Sequence, residues 1–496
     1  MKYLCLVYSE EKKLEGWDDG ECQDYCESLQ ARILAAAPTA NDLGCGWRAQ
    51  TALGAPVPRQ GKKALTIRTK VLHSLCFYFA VGITASAACP TGARASSSET
   101  VLWNFKGGFG VQSGLTAGKK GVFYGTTFGG GVHKGGTVFE LTPPAPSRKA
   151  WTKRVLWDFS GPVYSRYLDA ELVSDKNGIL YGATSSISGH PTVFKLMPPK
   201  PGKKAWSLRT LWKSRGGGAP IGPVGRLIAD QYGALYGTTM GSAGTVFKLA
   251  PPRPGKKAWT KTVLWTFPDG VYSQNGLIMD DNGVLYGVTE NDGMGLGTVF
   301  SLAPPVPGQE TWTHTVLWVL GQPDGFDTQA PLLADKDGAL YTTTGMGGIL
   351  GWGAVFKLTP PGPGQTDWTH AVLWSFGGSF DGGLPRGGLI ADQHGALYGV
   401  TMYGGTHDNA GTAFKLTPPG PGETAWTKTV LWSFGAPYGD GCPGVPVGCP
   451  QGASDGVAPL GLIADVDGTL YGTTQHGGRY GGGTAFKLEL GIGMDQ

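Results

Sequence analysis

Four histidines lie in polar, glycine-rich segments that separate two recurring apolar motifs. They are His133, His190, His407 and His476, and the same segments also hold Tyr403, Asp408, Arg479 and Tyr480. Imidazole, carboxylate and phenol groups can bind a metal ion or the hydroxyl groups of a sugar. We therefore predict a ligand-binding face built from these segments. The alternative is that histidines collect there because the segments are solvated, and the sequence leaves both interpretations open.

Further polar side chains follow another recurring motif, VLW, and should lie on the same face. They are Asp381, Arg386, Tyr438 and Asp440. The sequence contains no GxSxG, HExxH or P-loop motif and no zinc-type cysteine spacing. We therefore expect a non-catalytic binding or scaffold module without a cofactor or a resident metal. The alternative is an extracellular hydrolase or lyase that acts on a polysaccharide at this asymmetric face.

One aspartate recurs at the same place in six of the seven repeats. Examples are Asp230, Asp280, Asp392 and Asp465. A ring of carboxylates could suggest catalysis, but a residue repeated in nearly every unit usually performs the same structural task in each. Because each aspartate opens an Asp-x-x-Gly turn, we expect its side chain to cap that turn.

The positions of these residues depend on a repeat of roughly 55 residues. The tripeptide VLW, or TLW in one copy, ends at tryptophans that stand 53 to 58 residues apart: Trp103, Trp157, Trp212, Trp265, Trp318, Trp374 and Trp432. Between them the motifs GLIAD, GALYGTT and GTVFKLTPP recur in a fixed order. Each motif is short, rich in β-branched or aromatic residues and bounded by Gly, Asp or Pro, as strands are. Four strands per repeat and seven repeats predict an all-β, seven-bladed β-propeller.

The order of strands within a blade follows from crowding at the propeller axis. GLIAD is small and apolar and suits the innermost strand, whereas AWTKTVLWSF suits the outermost strand. Because side chains alternate along a strand, five residues of this last run should share one face. They are Trp426, Lys428, Val430, Trp432 and Phe434. We expect the tryptophans to fill the gaps between neighbouring blades rather than to form a ligand platform.

The two ends of the repeat array are complementary. The last GTAFKL motif has no outer strand after it, whereas Val101–Phe105 is a spare outer strand before the first blade. We therefore expect the N-terminal strand to complete the seventh blade and to close the ring. Closure would remove the open sheet edges of an incomplete array.

The run GLIAD-x-x-GALYGTT…GTVFKLTPP resembles the GloVer (Gloeo/Verruco-type) tandem-repeat family of exported bacterial proteins. The resemblance covers residues 100–490. It implies an exported propeller-shaped protein, it implies no catalytic activity, and it brings no functional residues with it. Proteins of this family are sorted to the cell surface by varied anchors. Because the sequence ends in GIGMDQ without a recognisable anchor, we expect release rather than surface anchoring.

The first 95 residues do not belong to the repeats. Residues 1–64 begin with MKYLCLVY, which resembles the start of the YCII-related family. The rest of that domain is missing, so we expect no independent domain there.

Residues 65–95 have the pattern of a signal peptide, in which Arg68 and Lys70 precede the apolar run Val71–Ile83 and small residues follow. We therefore predict a secreted or cell-surface protein. One hypothesis is that translation begins near Leu65 or Val71 and that the upstream part is an artefact or a degraded fusion. The competing interpretation is a single membrane anchor, although the apolar run is shorter than the roughly 20 residues that a spanning helix needs.

Composition and charge narrow the range of partners. Charged residues make up 16% of the chain and the net charge is +4, which gives no field for nucleic acid. We expect a monomer that binds a glycan or a protein and leaves the membrane once the signal is removed. Cys442 and Cys449 share one Gly/Pro-rich loop, where we expect a disulfide, with two free thiols as the alternative.

Overall fold

The computed structural model divides the chain into two units, Met1–Gly92 and Ala93–Gln496. It describes residues of the second unit: 97–106, 110–148, 150–160, 168, 170–185, 190–214, 222–241, 243–290, 296–321, 323–328, 330–407, 409–435 and 455–490. The YCII-like stretch, the signal-like segment and residues Asp408, Tyr438, Asp440, Cys442 and Cys449 lie outside the described residues. The expectations placed on them remain predictions.

Twenty-eight described strands form seven four-stranded antiparallel sheets, which are the blades of a seven-bladed β-propeller. Blades 1 to 3 contain β2 (Thr116–Ala117), β3 (Phe123–Thr127), β4 (Lys134–Thr142), β5 (Thr152–Ser160); β6 (Val173–Ser174), β7 (Leu180–Thr184), β8 (Thr192–Met197), β9 (Ser207–Lys213); and β10 (Pro223–Ala229), β11 (Leu235–Thr239), β12 (Ala243–Ala250), β13 (Thr260–Asp269).

Blades 4 to 6 contain β14 (Ile278–Met279), β15 (Leu285–Thr289), β16 (Thr298–Ala303), β17 (Thr313–Val319); β18 (Leu333–Ala334), β19 (Leu340–Thr344), β20 (Ala354–Thr359), β21 (Thr369–Ser375); and β22 (Ile390–Ala391), β23 (Leu397–Thr401), β24 (Thr412–Thr417), β25 (Thr427–Ser433). Blade 7 contains β26 (Val457–Ala464), β27 (Leu470–His476), β28 (Gly481–Glu489) and β1 (Ser98–Lys106). Two short 3-10 helices span Lys119–Gly121 and Ser379–Asp381. Across the described ranges, no helix has the length and apolar character to cross a membrane.

The strand order predicted for a blade is confirmed, with the GLIAD-type strand first and the VLW strand last in each sheet. Threonine hydroxyls near the axis join neighbouring blades. Thr116 Oγ1 donates to the Leu172 carbonyl at 2.7 Å, and Thr473 Oγ1 donates to the Ser113 carbonyl at 2.9 Å. These bonds satisfy polar groups where the blades crowd together.

The core of each blade is a phenylalanine that packs on a glycine of the neighbouring strand. In blade 4, Phe300 is fully buried and pairs with Gly287. A Cβ atom on Gly287 would lie 2.6 Å from the Phe300 ring, so no larger residue fits there without movement. The same pair recurs in the other blades, with a threonine at the glycine position in blade 5. This contact explains why GALYGTT and GTVFKL recur together.

The outer strand departs from the alternation that the sequence suggested. In blade 6, Phe414 pairs with Val430 and the preceding residue pairs with Trp432, so Leu431 is an extra residue in a β-bulge. Leu431 is buried, whereas Val430 is 37% exposed. The prediction that Val430 shares the inner face was therefore wrong, because the bulge shifts the phase of the strand. The tryptophans do pack against the clusters between blades, as expected, and remain half-buried.

Closure of the ring by the N-terminal strand is confirmed. β1 pairs antiparallel with β28, and Val101 lies opposite Phe486. Blade 7 therefore combines one strand from the start of the array with three from its end. We call β1 the closing strand.

Candidate functional site

Two sets of loops meet on one face of the ring, as predicted. Isolated bridges join the loop between blades to the end of the second strand or to the loop after it: Val111 with Thr127, Phe326 with Met346, and Gly383 with Tyr403. We call this side the mouth face. Tyr403 thus takes part through its backbone, which exchanges two hydrogen bonds with Gly383 at 3.0 and 3.1 Å.

The predicted histidines make their described side-chain hydrogen bonds and ion pairs within their own blades. His133 Nδ1 lies 3.6 Å from Asp158 Oδ2 in blade 1. In blades 2 and 6, Nδ1 of His190 and of His407 lies 3.0 and 3.2 Å from a backbone carbonyl oxygen at the end of the outer strand. His476 is the last residue of β27, and burial lowers the pKa of its imidazole. Within the part of the chain that the structure describes, no three His, Cys, Asp or Glu side chains stand where they could hold a metal ion together.

The two remaining predicted residues, Arg479 and Tyr480, line a groove of about 910 Å³ between blades 7 and 1. We call it the closing groove, because the closing strand forms one wall and the outer strand of blade 1 forms the other. Its described lining residues are Thr100, Val101, Leu102, Trp103, Asn104, Phe105, Lys106, Gly110, Thr127, Gly129, Gly130, Gly131, Thr137, Pro144, Ala150, Trp151, Lys153, Val155, Arg479, Tyr480 and Lys487.

Aromatic rings and cations alternate on the walls of the closing groove. Lys106 Nζ lies 4.9 Å from the centre of the Tyr480 ring, and the Arg479 guanidinium lies 5.6 Å from it. The backbone N–H of Arg479 donates to Asn104 Oδ1 at 2.7 Å, which fixes the loop to the closing strand. Trp151 stacks on a buried phenylalanine at 5.8 Å. The groove therefore offers rings already held in place by neighbouring side chains.

The closing groove is electropositive. Lys106, Lys153, Arg479 and Lys487 line it, and none of its described lining residues is an aspartate or a glutamate. Burial lowers the pKa of Lys153, whose Nζ lies 5.2 Å from each of two phenylalanine rings. An anion beside this ammonium would favour its charged form. Lys487 is already paired, since its Nζ contacts Glu489 just outside the groove.

Most of this groove escaped the sequence analysis. Trp151 and Lys487 occupy consensus positions of the repeat, so nothing in the sequence distinguishes them from their counterparts in other blades, whereas Lys153 stands at a position whose residue varies between blades. Lys106 is different, because most blades carry a small uncharged residue at its position and blade 2 alone has another cation, Arg215; the uncharged residues are Ser160, Pro268, Gly321, Gly377 and Gly435. A comparison of the repeats for departures from their consensus could have found it.

A second polar cluster on the mouth face surrounds Glu290, which follows β15. Burial and then the charge of Asp327 raise the pKa of Glu290 to about 7, against a hydrogen bond from Gln274 and the charge of Arg386. Gln274 Nε2 donates to Glu290 Oε2 at 2.7 Å. Of these residues the sequence analysis had singled out only Arg386. Glu290 could have been found as the acidic residue directly after a GALYGTT motif.

The fold and the groove define a closed seven-bladed propeller with a cationic, aromatic groove beside its closing strand. The chain belongs to the Gloeobacter/Verrucomicrobia repeat family, whose model matches residues 92–295 and 227–446. The family resemblance of the repeats is thereby confirmed.

Solved structures offer more distant likenesses. The extracellular domain of a protein assigned as a hybrid two-component system of B. thetaiotaomicron is 12% identical, with a TM-score of 0.39, and the match covers 78% of this chain and 39% of that one. A protein assigned as a 6-phosphogluconolactonase of Bacteroides uniformis is 15% identical, with a TM-score of 0.39, over 64% and 84%. A protein of unknown function from Dyadobacter fermentans is 12% identical, with a TM-score of 0.39, over 81% and 100%. The comparison with curated proteins finds no match.

Proposed function

We propose that this propeller is a non-catalytic binding module that takes a segment of an acidic polysaccharide into the closing groove. The observation that carries the proposal is the lining of the groove, with four cations and no carboxylate among its described residues. A sugar chain that bears carboxylates, such as a polyuronate, complements such a surface.

The aromatic side chains support a sugar rather than a small anion. Trp103, Trp151 and Tyr480 line the same groove as the cations, and about 910 Å³ is enough for several sugar rings. A small inorganic anion would need only the cations. Flat, half-buried rings beside cations suit a ligand with both apolar ring faces and charged groups.

The proposal is tested by titrating the full chain with oligogalacturonate and following binding by calorimetry. The same titration with a neutral galactan of equal length is the ligand control. We expect the acidic oligomer to bind and its affinity to fall as salt is added, because partly exposed cations contribute most of the attraction. Replacing Arg479 with Gln or Tyr480 with Ala should each weaken binding about fivefold to tenfold, the loss of about 1 to 1.4 kcal/mol.

Matched variants separate a groove effect from a general loss of positive charge. Lys487→Gln alters the closing groove, whereas Lys415→Gln removes the equivalent lysine of blade 6. Only the first should weaken binding. Equal binding of the neutral galactan, or equal losses in the two lysine variants, would overturn the proposal.

We also propose that the protein works outside the cytoplasm, either released or at the cell surface. The signal-like pattern of residues 65–95 supports this location, as does the exported character that the family resemblance implies. Sequencing the N-terminus of the protein recovered outside the cell tests it. A new N-terminus that follows the small residues after Ile83 is expected, whereas recovery with Met1 in place would argue against cleavage.

A further inference from the structure

We call the boundary between two neighbouring blades a seam. Three consecutive seams share one arrangement. At each seam the indole N–H of an outer-strand tryptophan donates to an aspartate of the loop that leads into the next blade. Trp318 Nε1 lies 2.7 Å from Asp324 Oδ2, and Trp374 Nε1 lies 3.3 Å from Asp381 Oδ2. The third seam, between blades 6 and 7, repeats this with Asp455, whose Oδ2 accepts from Trp432 Nε1 at 3.0 Å.

The outer strand of the following blade places one side chain against each of these aspartates. At the first two seams that side chain can carry positive charge. His370 Nε2 lies 2.5 Å from Asp324 Oδ1, and Lys428 Nζ lies 2.7 Å from Asp381 Oδ1. The equivalent position at the third seam belongs to the closing strand and holds Glu99. Two carboxyl groups therefore share the seam that the closing strand completes, and the charge of Asp455 acts on Glu99.

Glu99 has few ways to stabilise a negative charge. Its Oε1 atom is buried and has no hydrogen-bond partner among the described residues. Burial, followed by the charge of Asp455, raises the pKa of Glu99 to about 8, and burial also raises the pKa of Asp455. Among the other described ionisable groups nearby, the charge of His407 in blade 6 acts to lower the pKa of Asp455. The Lys487–Glu489 ion pair lies on the neighbouring strand β28.

We propose that the Glu99–Asp455 carboxyl pair makes closure of the ring depend on pH, so that the seam is firmer while Glu99 keeps its proton than when both groups are ionised. A neutral carboxylic acid can lie beside a carboxylate and donate a hydrogen bond to it. Two ionised groups in this half-buried seam would repel each other. The pair thus takes the place of the Asp324–His370 contact and the Asp381–Lys428 ion pair of the two preceding seams.

The direction of the effect follows from proton binding. Between its ordinary pKa near 4.5 and its raised value near 8, Glu99 keeps its proton in the folded ring and loses it in the unfolded chain. The free energy of unfolding therefore falls as pH rises through this range and levels off above it. Residues 100–106 of the closing strand also line the closing groove. Loosening of this strand at alkaline pH would reach that groove, although the inference itself does not require any ligand.

The experiment measures thermal unfolding and hydrogen exchange of the closing strand at pH 6 and pH 9 in the full chain, with exchange corrected for its intrinsic pH dependence. We expect the wild-type midpoint to fall by several degrees and the amides of Ser98–Lys106 to exchange about tenfold faster at pH 9. Glu99→Gln should remove most of this difference. Glu99→Lys, which copies the seam between blades 5 and 6, should remove it and raise the midpoint at pH 9.

Glu489→Gln is the matched control, because it removes one exposed carboxylate from the strand beside Glu99, and it should keep the wild-type pH dependence. Infrared spectroscopy adds a test on correctly folded protein. The protonated-carboxyl absorption of the wild type at pH 7, to which Glu290 also contributes, should lose intensity in Glu99→Gln. The proposal is overturned if Glu99→Gln leaves that absorption unchanged, or if Glu99→Gln and Glu99→Lys both retain the wild-type difference between pH 6 and pH 9.

Discussion

The turns between first and second strands and the seams between blades both hold polar groups in place. The turns do so with the same residue in nearly every blade, whereas the seams do so with different residues. In blades 2 to 7 every such turn is closed by an aspartate whose Oδ1 accepts two backbone N–H groups at 2.8 to 3.0 Å. The seams use one equivalent outer-strand position, but its occupant changes from blade to blade. Its occupants are Lys153, Leu208, Lys261, His314, His370, Lys428 and Glu99.

This difference shows where the repeat is free to vary. A turn is satisfied by its own blade, so the same residues work in every copy. A seam side chain must match the loop and the tryptophan of the preceding blade, as Lys261 does over the Trp212 ring at 4.5 Å. Buried ionisable groups then acquire different partners at each seam, and the asymmetry of the ring is concentrated there.

Substitutions in the cores of the blades should have the largest effect on stability, and the effect should be similar in each blade. Replacing Phe356 with Ala should lower the free energy of unfolding by about 3 to 5 kcal/mol, because a fully buried ring is lost and a cavity remains. Phe247 in blade 3 is equally buried, although it pairs with Gly237 where Phe356 pairs with Thr342, and Phe247→Ala should cost nearly the same. The urea concentration at the midpoint of unfolding measures the loss of stability in both variants. Costs that differ by more than about 2 kcal/mol would show that blades are not equivalent even in their cores.

Substitutions at the seams should have the next largest effect on stability, and this effect should differ from one seam to another. Asp381→Asn should destabilise the ring by about 2 kcal/mol, because the buried Lys428 side chain would lose the carboxylate that stabilises its ammonium. Replacing both residues, as Asp381→Asn with Lys428→Met, should recover most of that loss. Urea unfolding of the single and double variants measures this loss and its recovery. If the double variant is as unstable as the single one, the pair is not what holds this seam.

The turns should give a smaller and uniform effect. Asp392→Ala removes the acceptor of two backbone N–H groups and of the Tyr398 hydroxyl, and should cost about 1 to 2 kcal/mol. Asp230→Ala in blade 3 should cost the same, whereas the exposed neighbour Gln393 should tolerate Ala. Thermal unfolding of the three variants checks this. Unequal losses in the two aspartate variants would contradict the view that each turn is satisfied locally.

The sequence predicted the parts of the molecule that repeat. Seven copies of each motif were enough for blade number, strand order and the completion of blade 7 by β1, because alternation and turn residues carry that information locally. The bulge at Leu431 was not predictable, since it depends on how the outer strand pairs with its neighbour. Arg479 and Tyr480 were identified from one loop, but their partners Lys106 and Trp151 lie far away in sequence and meet them only when the ring closes.

The closing strand is synthesised long before the strand with which it pairs. Ser98 and its partner Glu489 are 391 residues apart, so at about 5 to 20 residues per second the strand exists for roughly 20 to 80 seconds before β28 is made. Throughout that interval its edges are unpaired and open to the wrong neighbour. A charged residue on such a strand discourages premature pairing while water still solvates it. Glu99 is therefore charged while the closing strand is unpaired at neutral pH, and its raised pKa favours a neutral carboxyl once the ring has closed.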